Sequence, residues 1–253
     1  MPTLMDAPNS TLRQSQTSPA LDLLIERSND LSRHPHDTYI SMIGAQLKRS
    51  ECADWLDVGC GWHMDFPWET EREKALVSRA NVVGIDPDWQ AVARHRTISR
   101  RTVGFVERLP FADRCFNLVT ANVVVEHLEY PSLAFAEIFR VLRSGGCFLF
   151  RTPSARSYFV KIARLLPQSL KVRLASGVIQ DREPVDIYPA HYRANTAESI
   201  AEICAGSGFR KLEILITRAQ GVLGKLPKLR HVERSIMAAL GFTEGNLIVQ
   251  AWK

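Results

Sequence analysis

Asp54-Trp-Leu-Asp-Val-Gly-Cys-Gly61 decides how the rest of the chain is read. Trp55 to Val58 form a short apolar run, the mark of a buried strand. Gly59 and Gly61 follow in a tight turn, with Asp57 one residue inside the strand end. Glycines there let backbone approach a ligand that a Cβ would push away. The next apolar run, Val82-Val-Gly-Ile-Asp86, ends in a second acidic residue. A carboxylate at that strand tip is placed to accept hydrogen bonds from both hydroxyls of a ribose.

The 253 residues suffice for one large α/β domain with a real core. Apolar content of 45% and charged content of 23% are those of an ordinary soluble globule. A net charge of +5 suits an anionic partner or a membrane surface, and equally an arginine-rich solvated face. The second reading is the simpler. Cys52, Cys60, Cys115, Cys147 and Cys204 are scattered and lack any CxxC pair. They give no disulfide framework and no zinc site, so free thiols in a reducing cytoplasm are expected. No apolar run approaches membrane-span length, and no signal peptide is visible.

Residues 1–20, rich in Ser, Thr, Gln and Pro, read as a disordered tail, with residues 21–253 as a single domain. Asp22 to Glu26 is expected to start a short helix. Asp37 to Lys48 is a helix with Ile40, Ile43 and Leu47 on one face. Helices are expected over Glu69–Arg79 and Asp88–Ser99, the latter capped by Asp88. Strands are expected over Val103–Val106, Phe116–Ala121 and Cys147–Thr152. A helix over Leu133–Leu142 should end at the Ser144-Gly-Gly146 glycines. Residues 154–194 break the alternation, with short helices over Ser157–Leu166 and Leu170–Val178 and a polar aromatic loop up to Arg193. The pattern resumes with a helix over Thr196–Ala205, strands over Lys211–Thr217 and Asn246–Trp252, and a helix over Val232–Leu240 between them. The last two strands should run antiparallel at the sheet edge. Regular strand–helix alternation argues for a parallel sheet with helices on both faces.

Leu56-Asp-Val-Gly-Cys-Gly61, Gly84-Ile-Asp86, Glu107-Arg-Leu-Pro-Phe111, Val125-Glu-His-Leu128 and Phe139-Arg-Val-Leu-Arg-Ser-Gly-Gly146 occur in this order. In order and spacing the set resembles class I S-adenosylmethionine-dependent methyltransferases, nearest to the type 11 small-molecule group. The match is close over residues 37–153. His191-Tyr-Arg-Ala-Asn195 and Gly206-Ser-Gly-Phe209 are similar to that group too. The resemblance implies a Rossmann-like, seven-stranded, mostly parallel sheet whose last strand is antiparallel, with a helical cap inserted after strand five. It implies S-adenosyl-L-methionine as cofactor. In that family's terms, Gly59, Cys60 and Gly61 lie against its methionine and ribose, and Asp57 orients the turn. Asp86, beside Pro87, holds the ribose hydroxyls. Val106, Glu107 and Arg108 lie near adenine, and Asn122 near the methionine end. Three departures stand out: His63 replaces a usual third glycine, Phe105 a frequent acid, and Asn117 a common Asp.

A sulfonium methyl is already electrophilic, so the protein must mainly align a nucleophile and exclude water. A hydroxyl or carbon nucleophile also benefits from a base. His127 is the candidate; the competing reading has it hydrogen-bonded to nearby backbone. Glu126 resembles part of a metal motif that also needs an acid at position 123, which is Val123, so no metal is predicted. Tyr158, His191, Tyr192 and Arg193 are candidate substrate residues, with Arg193 reading an anionic group. Residues 154–182 carry six basic residues among apolar ones. Such an insert suits a cap over an apolar, lipid-linked or glycan-related acceptor, or peripheral membrane contact.

A nicotinamide dehydrogenase would place glycine at position 64, which is Met64. A nucleic-acid methyltransferase would suit the charge, but residues 120–124 lack the sequence of base-amine methylation, and no aromatic–basic stripe is present. A non-catalytic binding protein on the same fold is the remaining alternative. The methyl acceptor's identity and the oligomeric state are not written in the sequence.

Overall fold

The computed structural model describes residues 21–28, 34–50, 53–63, 70–158, 160–161, 188–219, 239 and 243–253. Eight strands form one sheet in the order β1-β7-β8-β6-β5-β2-β3-β4. They are β1 (Asp22–Arg27), β2 (Ala53–Val58), β3 (Ala80–Asp86), β4 (Arg100–Val103), β5 (Phe116–Asn122), β6 (Leu142–Pro153), β7 (Lys211–Arg218) and β8 (Glu244–Trp252). Among the described strands, β8 alone runs against its neighbours, pairing antiparallel with both β6 and β7. Among the described residues the helices are α1 (Pro35–Leu47), α2 (Thr70–Val77), α3 (Trp89–Arg94), α4 (Pro131–Val141) and α5 (Ala197–Ser207).

The central strands are buried on both faces, which explains their unbroken apolar runs. Successive residues serve opposite faces. Leu56, Phe148, Phe150 and Val249 pack with Phe135 and Ile138 of α4 and Ile200 of α5. Their sequence neighbours Trp55, Leu149 and Ile248 pack instead with Tyr39, Ile43 and Leu47 of α1. The helix ends are set locally. Asp88 caps α3, and Thr196 and Ser199 form a capping box on α5. α5 stops at Gly208, whose φ of +99° a Cβ would oppose.

The chain leaves β2 for β3 and β4, then returns to β5 on β2's other side. The loops beyond β2 and β5 therefore part at a topological switch point, where a crevice opens at the strand C-termini.

Several expectations are corrected. Residues 22–26 form a strand, not a helix: β1 pairs in parallel with β7 and adds an eighth strand. All six β1 residues are exposed, Leu23, Leu24 and Ile25 among them. β8 lies inside the sheet rather than at its edge. The strand expected at 103–106 lies at Arg100–Val103, followed by a 3-10 turn at Val106–Arg108. α3 is shorter than expected, ending at Arg94. Gly145 and Gly146 do not cap α4, which passes directly into β6 at Leu142. The expected tail (1–20), the helix over Leu170–Val178, all but residue 239 of the helix over Val232–Leu240, and most of the basic insert lie outside the described residues. Among the described residues no helix is long and apolar enough to cross a membrane.

Candidate functional site

The turn after β2 is sewn to the tip of β3. Gly59 and Cys60 donate their N–H groups to the Ile85 carbonyl at 2.7 and 3.2 Å. Gly61 N–H donates to Asp86 Oδ2 at 3.0 Å, and Asp88 N–H to Asp86 Oδ1 at 2.9 Å. Gly59 and Gly61 have φ of +65° and +58°. A Cβ on Gly59 would lie 2.3 Å from Val124 Cγ2, so only glycine fits. The Cys60 side chain turns into the core against Gly84, and burial raises its thiol pKa. Cys60 thus offers the crevice only backbone.

Asp57 is buried at the end of a hydrogen-bond chain. Trp55 Nε1 donates to Thr120 Oγ1 at 2.7 Å, and that hydroxyl donates to Asp57 Oδ1 at 2.6 Å. Burial pushes the Asp57 carboxyl up to about 7, against the opposing Thr120 bond. The carboxylate therefore braces β2 against β5.

On the β3 flank, Pro87 and Arg108 are exposed, Glu107 is half-buried and Val106 is buried. Phe105 is 65% exposed and Trp89 equally so. This side is held by α4. Glu137 Oε2 accepts Leu109 N–H at 2.9 Å. Arg140 donates to the Phe111 and Leu109 carbonyls at 2.8 and 3.0 Å, to Asp113, and to Glu137 through Nε. The Arg140 bond is the main reason the Glu137 carboxyl sits below its usual range. The Phe139–Gly146 motif thus carries the arginine that clamps the loop after residue 108.

On the β5 flank, Asn122 Oδ1 accepts from Arg151 Nε at 2.9 Å. Val123 adopts φ +59°, an unusual state for a β-branched residue, and its N–H bonds the Arg151 carbonyl. Glu126 is buried, which raises its carboxyl pKa, and it accepts Thr152 Oγ1 at 2.9 Å. Asn195 donates in turn to Thr152 Oγ1 and to the Pro153 carbonyl. His127 Nδ1 lies 2.9 Å from the Pro189 carbonyl oxygen. A carbonyl only accepts, so in the neutral ring the proton belongs on Nδ1 and the lone pair on Nε2.

Of the other substrate candidates, His191 and Tyr192 give their N–H groups to the Glu126 carbonyl at 2.7 and 3.0 Å. Arg193 Nη1 donates to the Glu129 carbonyl at 2.6 Å. Tyr158 is buried, 4% exposed, in the chain that follows β6. Sequence reasoning passed over Thr120, Arg151 and Tyr188. Tyr188 Oη donates to Asp88 Oδ2 at 3.2 Å across 100 residues of chain, a separation that leaves no local signal.

The Methyltransferase domain family matches residues 56–150. Demethylmenaquinone methyltransferase of Chlorobaculum parvum is 30% identical over 215 residues, spanning 78% of this chain and 83% of that protein. Malonyl-[acyl-carrier protein] O-methyltransferase of Erwinia billingiae is 35% identical over 104 residues, 40% of this chain and 39% of its own length. A solved structure of phosphoethanolamine N-methyltransferase 2 from Haemonchus contortus, in complex with S-adenosyl-L-methionine, superposes with a TM-score of 0.52. It is 16% identical and covers 84% of this chain and 52% of its own, a likeness of fold alone. The sewn glycine turn, the acid-tipped neighbouring strand and a relative aligned along most of its length converge on one family, and this chain belongs to the class I S-adenosyl-L-methionine-dependent methyltransferases.

Proposed function

We propose that the protein methylates a small, apolar, hydroxylated acceptor at the tips of β5 and β6, with His127 as general base. The observation that carries this reading is the His127–Pro189 bond of 2.9 Å, which leaves Nε2 as the nitrogen able to take a proton.

S-adenosyl-L-methionine is the cofactor, and its sulfonium supplies a methyl group that needs no further activation. The chain's own residues fit it. The Asp86 carboxylate at the β3 tip suits the ribose hydroxyls, and the Gly59–Gly61 backbone leaves room for the methionine arm. Phe105 offers an uncovered ring to adenine, beside Val106, Glu107 and Arg108. Asn122, steadied by Arg151, stands at the methionine end. Across the crevice, His127 Nε2 takes the acceptor's hydroxyl proton as its oxygen, or the conjugated ring carbon, becomes the nucleophile.

The demethylmenaquinone and malonyl-[acyl-carrier protein] relatives differ in the acceptor they name. A malonyl carboxylate is ionised at neutral pH and needs no base. A hydroxylated ring, such as the reduced form of demethylmenaquinone, does. The base-ready tautomer of His127 and the longer alignment with the Chlorobaculum protein both favour the ring. The experiment is transfer of a labelled methyl group to a demethylnaphthoquinol and to malonyl-[acyl-carrier protein], with mass detection of product. Methylated quinol is expected, and His127→Gln should lower kcat roughly 100-fold or more. Full activity in His127→Gln would remove the base assignment, and product from malonyl-[acyl-carrier protein] alone would remove the acceptor class.

A further inference from the structure

The sheet order places the tip of β2, and with it the Gly59–Gly61 turn, between β3 and β5. Residues 188–193 touch both flanks of that tip. On the β3 flank, Tyr188 Oη donates to Asp88 Oδ2 at 3.2 Å. On the β5 flank, the Tyr188 ring stands edge-on to His127, centroids 6.1 Å apart at 73°. The next residue's carbonyl accepts from His127, and the two N–H groups of His191 and Tyr192 converge on the Glu126 carbonyl. This short segment therefore bridges the crevice above the glycine turn.

Its two ends are held differently. The C-terminal end is rooted in buried polar bonds, through Asn195, Thr152 and Glu126. Tyr192 is kept at φ +52° there, a conformation that persists only when its surroundings impose it. At the other end, Tyr188 is 43% exposed and its hydroxyl reaches the β3 flank at Asp88 Oδ2. The receiving group is already fixed, because Asp88 Oδ1 caps α3 through Gln90 N–H at 2.8 Å.

We propose that Tyr188 is a cofactor-retaining residue. Its hydroxyl, anchored on Asp88, and its ring, set against His127, close the crevice over the adenosyl group and slow its release. The proposal rests on the placement of the cofactor at the β2 and β3 tips.

The test is calorimetric binding of S-adenosylhomocysteine, with its release rate followed by stopped-flow displacement. The proteins compared are wild type, Tyr188→Phe, Tyr188→Ala and, as a control on the site itself, Asp86→Ala. Tyr188→Phe should raise Kd roughly fivefold through faster release, with the melting temperature unchanged. Tyr188→Ala should raise it further, because the ring is lost as well. If Asp86→Ala weakens binding and neither Tyr188 variant does, the cofactor site stands and Tyr188 is a brace only. If none of the three changes binding, the placement of the cofactor falls and this proposal falls with it. A lowered melting temperature with unchanged Kd and release rate likewise overturns it.

Discussion

Gly61 and Asp86 meet across two strand tips, the glycine N–H on the carboxylate oxygen at 3.0 Å. The acid assigned to the ribose therefore also fixes the turn that faces it. Removing it should cost more than its ligand bonds. Asp86→Ala is expected to raise the Kd for S-adenosylhomocysteine roughly 10- to 100-fold, and Asp86→Asn, which keeps one acceptor oxygen, considerably less. Titration calorimetry on both variants checks this; equal affinity in Asp86→Ala would contradict the ribose assignment.

Gly59 has no tolerated substitute. Its φ of +65° alone disfavours any L residue by about 1–2 kcal/mol, and a Cβ would overlap Val124. Gly59→Ala should lower the melting temperature and weaken cofactor binding. Adding Val124→Ala should restore part of the stability, since it relieves the contact but not the backbone cost. Thermal melts of both variants distinguish the two contributions.

Asp57 should leave a signature in stability against pH. Its carboxyl titrates near 7 in the fold, from an ordinary value of 3.8, because burial penalises the charge. Between those values the folded chain holds a proton that the unfolded chain has released. This contribution is fully present below about 4 and is lost as pH rises through about 7. Denaturant midpoints should therefore fall less between pH 5 and pH 8 in Asp57→Asn than in wild type. The same fall in both proteins would place the titration elsewhere.

Arg140 holds two loop carbonyls and two carboxylates at once. Arg140→Ala should destabilise the fold by about 2 kcal/mol and loosen the segment beyond Arg108. Arg140→Lys keeps the charge but not the planar fork, so it should recover only part of that loss. Urea unfolding measures the first effect, and hydrogen exchange at residues 109–113 the second.

What the sequence shows depends on how far apart the partners lie. The strands holding Leu56, Ile85, Val119 and Phe148 were legible because a strand buried on both faces must be an apolar run. The Gly59–Gly61 turn and Asp86 were legible because the chemistry needs those residue types at strand ends. Asp22 to Glu26 misled because five residues with apolar positions in the middle suit either structure, and only pairing with Lys211–Ile216 makes them extended. Gly145 and Gly146 misled because a helix stop and an irregularity within a strand both use glycine; here they lie inside β6, where its register against β5 shifts. The links Trp55–Thr120, Glu126–Thr152 and Tyr188–Asp88 exist only once the sheet order is known.

Among the described residues β1 is the end strand of the sheet, and its flanking amides, Asp22 and Ser28, reach the carbonyls of Arg210 and Ile216. The alternate amides at Leu23, Ile25 and Arg27 face away from β7. That strand works as a hem, stitched on beyond the seven that frame the catalytic crevice. It can fray, or be trimmed away, while the tips of β2, β3, β5 and β6 keep their places.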